Sequence, residues 1–264
     1  NLSRNRVYAT INILGLVLGI TGAIVIYRII SFEKGFDTYH SNAPQVYRIN
    51  MIQDRDGDIQ KSASIMHPLG PAIALDYPDW TVSRIHWYSA GIFTVNNEQG
   101  VKKKFRQEEP LAFVEQGFFE MFDFEVIAGD KDKLVDEPNT MALSVTAADK
   151  LFGLNGSNYQ SIIGRVVGFE NQLNLKITGV YADPPKNTDY AIDYLAFYEG
   201  AKIYPYANGL TSWRTTNGST RGFIKLPTGQ TKEQAESLLK ASSNKYIGNV
   251  EANPQESGVH FGLQ

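Results

Sequence analysis

The sequence predicts an α+β chain: a membrane-spanning helix at the N-terminus, followed by a strand-rich, mixed α/β ectodomain. Three observations carry that reading. Tyr8–Tyr27, YATINILGLVLGITGAIVIY, runs for twenty residues without a charge, and at 1.5 Å per residue such a helix covers roughly 30 Å, the hydrocarbon thickness of a bilayer. The 264 residues leave more than 200 behind that helix, enough for a substantial core with room for two lobes. Fourteen Tyr and fourteen Phe are distributed among many short β-type runs.

Ten of the twenty helix residues are Leu, Ile or Val, which on an insertion scale favour the membrane by roughly 3 to 6 kcal/mol. Val7 and Ile29-Ile30 extend the run, while Thr10 and Asn12 subtract from it. A buried helix of a soluble protein would show a polar stripe, and this one is apolar all round. A signal peptide would have a shorter apolar core and a small-residue cleavage site, whereas Tyr27-Arg28-Ile29-Ile30-Ser31-Phe32-Glu33 is bulky and charged. Gly15 and Gly19 form a G-x-x-x-G continued by Ala23, a small-residue face on which a second helix could pack. Arg4 and Arg6 precede the helix, and Arg28 and Lys34 follow it, so charge leaves the orientation open. The chain starts with Asn and stops at Gln264 without an obvious terminus, and is read as a fragment.

Residues 32–44, FEKGFDTYHSNAP, read as an interfacial collar. His40 is taken as structural there, since no partner stands at metal-ligand spacing. Val46–Gln53, with Tyr47, Ile49 and Met51 on one face, and Ile59–Ile65 read as strands around an Asp56-Gly57 turn. Asp54, Asp56 and Asp58 lack the Gly and Glu of a calcium loop. Pro68–Asp76 is a short helix stopped by Tyr77-Pro78. Val82–Ser89, Phe93–Asn96 and Val101–Gln107 are strands, with Asn96-Asn97 and Gly100 turning the chain; Lys102, Lys103, Lys104 and Arg106 make the last a solvated edge. From Pro110 the texture changes. Leu111–Glu115 and Met141–Ser144 read as strands, Gly117–Phe122 as a helical turn, and 129–138 as a charged loop. Thr146, with Asp149, is expected to cap a helix over 147–152. Ile162–Phe169, Leu173–Tyr181 and Ala191–Phe197 are strands, and Tyr204–Ser219 a connection. After a strand at Thr220–Leu226, Thr231 and Gln234 form a capping box for a helix reaching Tyr246, with Ala235, Leu238 and Leu239 facing inward. Val259–Phe261 is a short strand.

The net charge of −3 gives no basic footprint for nucleic acid. The absence of cysteine excludes disulfides, a thiol nucleophile and a Cys-ligated metal. No G-x-x-x-x-G-K-[ST], G-x-G-x-x-G, G-x-S-x-G or H-E-x-x-H occurs. His40, His67, His86 and His260 are scattered, and Glu108-Glu109 and Asp136-Glu137 sit in polar turns. No catalytic, cofactor-binding or metal-ligating residue is therefore expected in this chain.

The opening NLSRNRVYATINILGLVLGI, followed by SFEKGFDTYHSNAPQVYRI, resembles the start of MacB/FtsX-type ABC transporter permeases, especially the group common in Bacteroidetes. VEQGFFEMFDFEVIAGD, TMALSVTAADKLFG with IIGRVV, and KITGVYADPPKNTDYAIDYL are similar to further segments of that family, in order from about residue 3 to 246. Two places depart from its pattern: Thr38-Tyr39-His40, where Phe before His is usual, and Asp189-Tyr190 in place of Ser-His. The resemblance implies a juxtamembrane segment and transmembrane helix over 1–31 and an interfacial collar over 32–44. It further implies a βαβ-like periplasmic lobe made from 45–109 and 204–264, with a mainly-β lobe inserted at 110–203. It places the chain in the bacterial inner membrane, with residues after about 32 in the periplasm and three more membrane helices after Gln264. ATP would be bound by a separate cytoplasmic ABC ATPase subunit, and the periplasmic lobes would transmit its motion to efflux or other periplasmic work. Other implied partners are further transmembrane helices of the same or a second permease, a periplasmic adaptor or substrate protein, and the bilayer. The family supplies no catalytic or ligand residue here. Without the resemblance, a single-pass receptor or sensor ectodomain is the alternative.

Overall fold

The structure, a computed structural model, describes residues 6–55, 57–96, 100–107, 110–203, 207–214, 216, 218–248 and 259–264. Asp56, Asn97, Glu108-Glu109, Arg4 and Tyr204, all used in the sequence reading, lie outside them.

One continuous helix, α1 (Arg6–Lys34), buries none of its side chains against the rest of the protein. Its length and composition suffice to cross a membrane. It runs on through Phe32-Glu33-Lys34, so the connection to the ectodomain begins only at Gly35.

The ectodomain opens with two strands paired antiparallel, β1 (Val46–Arg55) and β2 (Asp58–Ser62). A helix, α2 (Leu69–Asp76), leads to β3 (Thr81–Tyr88), β4 (Gly91–Asn96) and β5 (Lys102–Gln107). Then come β6 (Leu111–Val114), a single-turn α3 (Gly117–Met121), β7 (Val126–Gly129) and β8 (Thr140–Ser144). The chain continues through α4 (Val145–Phe152), β9 (Val166–Phe169), β10 (Leu173–Tyr181), β11 (Tyr194–Phe197) and β12 (Thr220–Lys225). It ends with α5 (Lys232–Tyr246) and β13 (Val259–Leu263). The strands share one mostly antiparallel sheet in the order β13-β1-β12-β3-β6-β11-β8-β10-β9-β4-β5, with β2 on β1 and β7 on β10. β6–β11 and β8–β10 pair in parallel. As predicted, β5 is an outer edge, with Lys102, Lys103, Lys104 and Arg106 exposed.

Because successive strand residues point to opposite sides, the register sorts the core into two faces. Val46 and Arg48 of β1, Phe223 of β12, Ile85 of β3, Val114 of β6, Leu195 of β11 and Ala142 of β8 share one face. Phe118, Met121 and Phe122 of the α3 segment pack there with Tyr181 and Tyr190. The opposite face carries Ile49, Ile224, Phe113, Leu143 and Phe169, and is covered by α2 and α5 at one end and α4 at the other.

On that second face sits a polar cluster in the core. Thr220 Oγ1 lies between His67 Nε2 (3.2 Å) and His86 Nδ1 (2.9 Å), and His67 Nδ1 meets the Tyr198 hydroxyl at 2.7 Å. The Arg84 guanidinium stacks over the Tyr198 ring at 3.9 Å, pairs with Glu115 and donates to the His67 carbonyl. A Cβ on Gly70 would stand 2.6 Å from Cδ of Arg84, so only glycine lets α2 lie over that side chain. Two histidines scattered in the sequence are thus brought within 5.1 Å, ring centre to ring centre.

Three expectations are corrected. Ser144, not Thr146, caps α4: its hydroxyl accepts from the Ala147 N–H at 3.0 Å. Thr146 instead binds Asp183, and Asp149 accepts from Gly156 N–H and the Tyr159 hydroxyl. Leu238 points outward, because α5 meets the sheet along Ala235, Leu239 and Ser242-Ser243. The stretch Ile162–Phe169 splits into a 3-10 turn and a strand starting at Val166. The Thr231–Gln234 capping box forms as read.

Two outcomes follow. Leu239→Ala should cost about 2–5 kcal/mol in denaturant unfolding and Leu238→Ala less than about 1 kcal/mol. Burial, then His86 and Arg84, lower His67 to about 4, and burial lowers His86 to about 4. Both rings fold neutral, so their contribution is complete above the unfolded value near 6.5 and is lost as pH falls toward 4. The unfolding midpoint should drop over that window, and His86→Gln should flatten the drop.

Candidate functional site at the joint between helix and ectodomain

No group of three or more His, Asp or Glu that could hold a metal lies among the described residues. The side chains that invite a functional reading are those joining α1 to the ectodomain. The helix ends in tight turns: Gly35 N–H donates to Phe32 O at 3.0 Å and Phe36 N–H to Glu33 O at 3.3 Å, and the Phe36 ring folds edge-on to Phe32. Asp37 follows with φ +53°, a left-handed conformation that Asp tolerates better than most residues. That kink brings the collar against the loop between β10 and β11.

The first tether is reciprocal. Asp37 N–H donates to Asn187 O at 3.1 Å, and Asn187 Nδ2 donates back to Gly35 O at 2.6 Å. The Asp37 carboxylate accepts from the Thr188 hydroxyl and, at 3.4 Å, from Asp189 N–H. Gly35 is close enough to Asn187 that a Cβ there would meet Nδ2 at 3.4 Å.

The second tether runs to the segment after α3. Asp123 accepts from the Ser41 N–H and, at 3.2 Å, from the Ser41 hydroxyl; Asn42 Nδ2 donates to Glu120 O at 3.0 Å. Burial alone would raise Asp123, yet the two Ser41 donors, with His40 and Lys131, hold its carboxyl below the ordinary range.

His40 lies between the tethers, 5% exposed. Its Nδ1 accepts from Asp123 N–H at 3.0 Å, and its ring lies tilted by 41° against Tyr39 at 3.9 Å and meets Phe122 edge-on at 5.1 Å. Burial lowers its pKa against the upward pull of Asp37 and Asp123. His40 is therefore a neutral structural residue, as the sequence reading has it. Gly15, Gly19 and Ala23 lie elsewhere, on the bare surface of α1, and a Cβ at either glycine would meet nothing within 4 Å.

Sequence reasoning marked the collar as a segment but could not see what it docks on. Its partners are about 80 and 150 residues away. The usable signal lay in the resemblance: DTYHSN, FFEMFDF and KNTDY, three of the stretches that carry it, converge on this joint.

Comparison with known proteins bears on what this joint belongs to. Residues 9–242 match the family described as MacB-like periplasmic core domain. A domain of a putative permease protein from Porphyromonas gingivalis is similar in structure, with a TM-score of 0.65 at 19% identity, covering 85% of this chain and 91% of that one. The periplasmic region of MacB from Actinobacillus actinomycetemcomitans is similar too, with a TM-score of 0.50 at 16% identity, covering 88% of this chain and 90% of that one. None of the curated proteins compared matches it. At such identities the two structures speak for the fold, while the family match spans most of the chain, helix included. The chain belongs to the MacB-like periplasmic core domain family.

Proposed function

We propose that this chain is the first membrane helix and periplasmic core domain of an ABC transporter permease in a bacterial inner membrane. It transmits motion from a cytoplasmic ATPase to efflux or other work in the periplasm. Family membership supports a permease-type component; that ATP is hydrolysed on a separate subunit is part of this reading. The observation that carries the mechanical reading is the joint itself. α1 enters the ectodomain without a flexible linker, and within eight residues the collar is bonded to two separate segments.

Two attachments convey more than one does. A single tether lets a helix swivel beneath its domain, whereas Asp37 on the 187–189 loop and Ser41 on Asp123 together constrain rotation as well as translation. The 187–189 loop leads back through Asp183, whose carboxylate accepts from the Thr146 N–H (2.9 Å) and hydroxyl (2.8 Å) at the start of α4. Tilting α1 thus pulls on the loop beside β10 and on the α3 segment at once. Gly15, Gly19 and Ala23 are the face on which a further transmembrane helix packs in this reading.

The test uses the permease purified with its ATPase subunit and reconstituted, with spin labels at Ser31 and Lys104. The wild-type distance distribution should shift on adding ATP with vanadate. Asp37→Ala with Asp123→Ala should abolish the shift while the ATPase stays bound, the loss of each carboxylate costing about 1–3 kcal/mol of stability. A wild-type distribution indifferent to nucleotide, failure of any ATPase to co-purify, or a double variant that shifts like wild type overturns the reading.

A further inference from the structure

The sheet is bare on one side at its β5 end. On the second face, Leu175 of β10, Val167 of β9 and Val95 of β4 form a cross-strand row, and all three are buried in the core. The next row, on the first face, runs Asn174, Gly168, Thr94 and Lys104, and both of its ends are exposed. Ile92 and Val166, on the same face, are 43% and 52% exposed. None of these residues belongs to the apolar cluster that the α3 segment closes.

β5 also ends the sheet, and the direction of its main-chain groups follows from its neighbours. Glu170 N–H donates to Ile92 O at 3.0 Å, and the Arg165 guanidinium donates to Asn96 O at 2.8 Å, both from the β9 side. Hydrogen bonding alternates along an antiparallel strand, so Phe93 and Val95 bond to their β5 partners Phe105 and Lys103. Lys102, Lys104 and Arg106 therefore aim N–H and C=O outward, where no strand lies among the described residues. Their side chains share the first face, at a two-residue repeat of about 6.8 Å. None of the three forms an ion pair among the described residues. Lys176 of β10, exposed on the same face, adds a further cation. Glu170, an acid at the rim, accepts from Ile92 N–H at 2.6 Å.

The other end of the sheet is closed. Phe261 N–H donates to Ser243 Oγ at 2.8 Å and Leu263 N–H to Glu236 at 3.3 Å, so α5 supplies acceptors for the outward groups of β13. β5 carries charge instead. A second copy's β5 laid against it would set cation against cation, which blocks self-pairing. The same cations favour an anionic strand. An extended chain with an acid at every second residue repeats at about 6.8 Å too, so each acid falls opposite a cation. Its main chain then meets the open N–H and C=O groups of β5.

We propose that β5 takes an added antiparallel strand from a partner protein, an extended segment with an acid at every second position. The acids lie opposite Lys102, Lys104 and Arg106, and an apolar residue between two of them lies beside the half-buried Phe105. This inference needs no ATPase and stands apart from the function proposed above.

The experiment follows the fluorescence anisotropy of a labelled, capped peptide of sequence TEVETET, titrated with the chain in phosphatidylcholine nanodiscs and corrected with empty discs. Saturable binding with a Kd below about 1 mM is expected. Lys102→Glu with Lys104→Glu should weaken it at least about tenfold, and Lys240→Glu on α5 should leave it unchanged. The charge-swapped peptide TKVKTKT should bind the double variant at least about tenfold more tightly than it binds wild type, which also shows that the variant folds. In the added strand the N–H groups of the glutamates point at β5. N-methylation of the glutamate amides should therefore abolish binding, and N-methylation of the valine amide should not. Absence of saturable binding, equal binding to the double variant, or a swapped peptide that does not discriminate overturns the proposal. So does a peptide indifferent to which amide is methylated, which assigns a polyanion site without strand addition.

Discussion

A helix that buries nothing against the rest of the described residues leaves its apolar surface to be covered from outside them, and much of the architecture seen here follows from that constraint. Water would have to cover Leu, Ile and Val on every side of α1, whereas a bilayer accepts them at no cost. Once the helix is assigned to lipid, the ectodomain must start within a few residues of an interface. That is where the chain places Phe32, Phe36 and Tyr39, and where its hydrogen bonds change from helical to tertiary.

The sheet answers the same constraint from the other side. Alternation along each strand divides the apolar residues between two faces, and the faces are covered differently. Helices α2, α4 and α5 cover one, and on it the core tolerates Arg84, His67 and His86 because nearly every polar group there meets another. Among the described residues, no long helix covers the opposite face. It is closed by the α3 segment, the 187–192 loop and the collar, all rich in Phe, Tyr and short polar side chains. The face turned toward α1 is thus the one covered by the least regular structure.

Legibility in the sequence tracked the range of the interactions. α1, the Thr231 capping box and the charged β5 edge are written in patterns of a few residues, and each formed where read, whereas the second strand of the first pair, read to Ile65, stops at Ser62. The cap of α4 failed because Ser144 and Thr146 are both competent hydroxyls, and the choice depends on Asp183, 37 residues on, engaging Thr146. Leu238 failed because a period of 3.6 cannot say which of two adjacent leucines is central until the sheet's position is known. The His67–Thr220–His86 cluster and the Asp37–Thr188 bond span 134 to 153 residues, beyond any local pattern.

The joint combines two kinds of strength. Its tethers are hydrogen bonds among short side chains, each worth about 1 kcal/mol net in exposed positions, so neither alone would hold a helix at a fixed angle. Between them His40 is 5% exposed and packed on Phe122, which belongs to the apolar cluster of that sheet face. Prising the collar away would expose that ring and leave the Asp123 N–H without its acceptor, so the tethers and the buried ring are lost together. Weak bonds that must break as a set behave as one stronger contact. Under the function proposed, it is this seam, rather than a yielding run of Gly and Ser, that passes a displacement from α1 into the sheet.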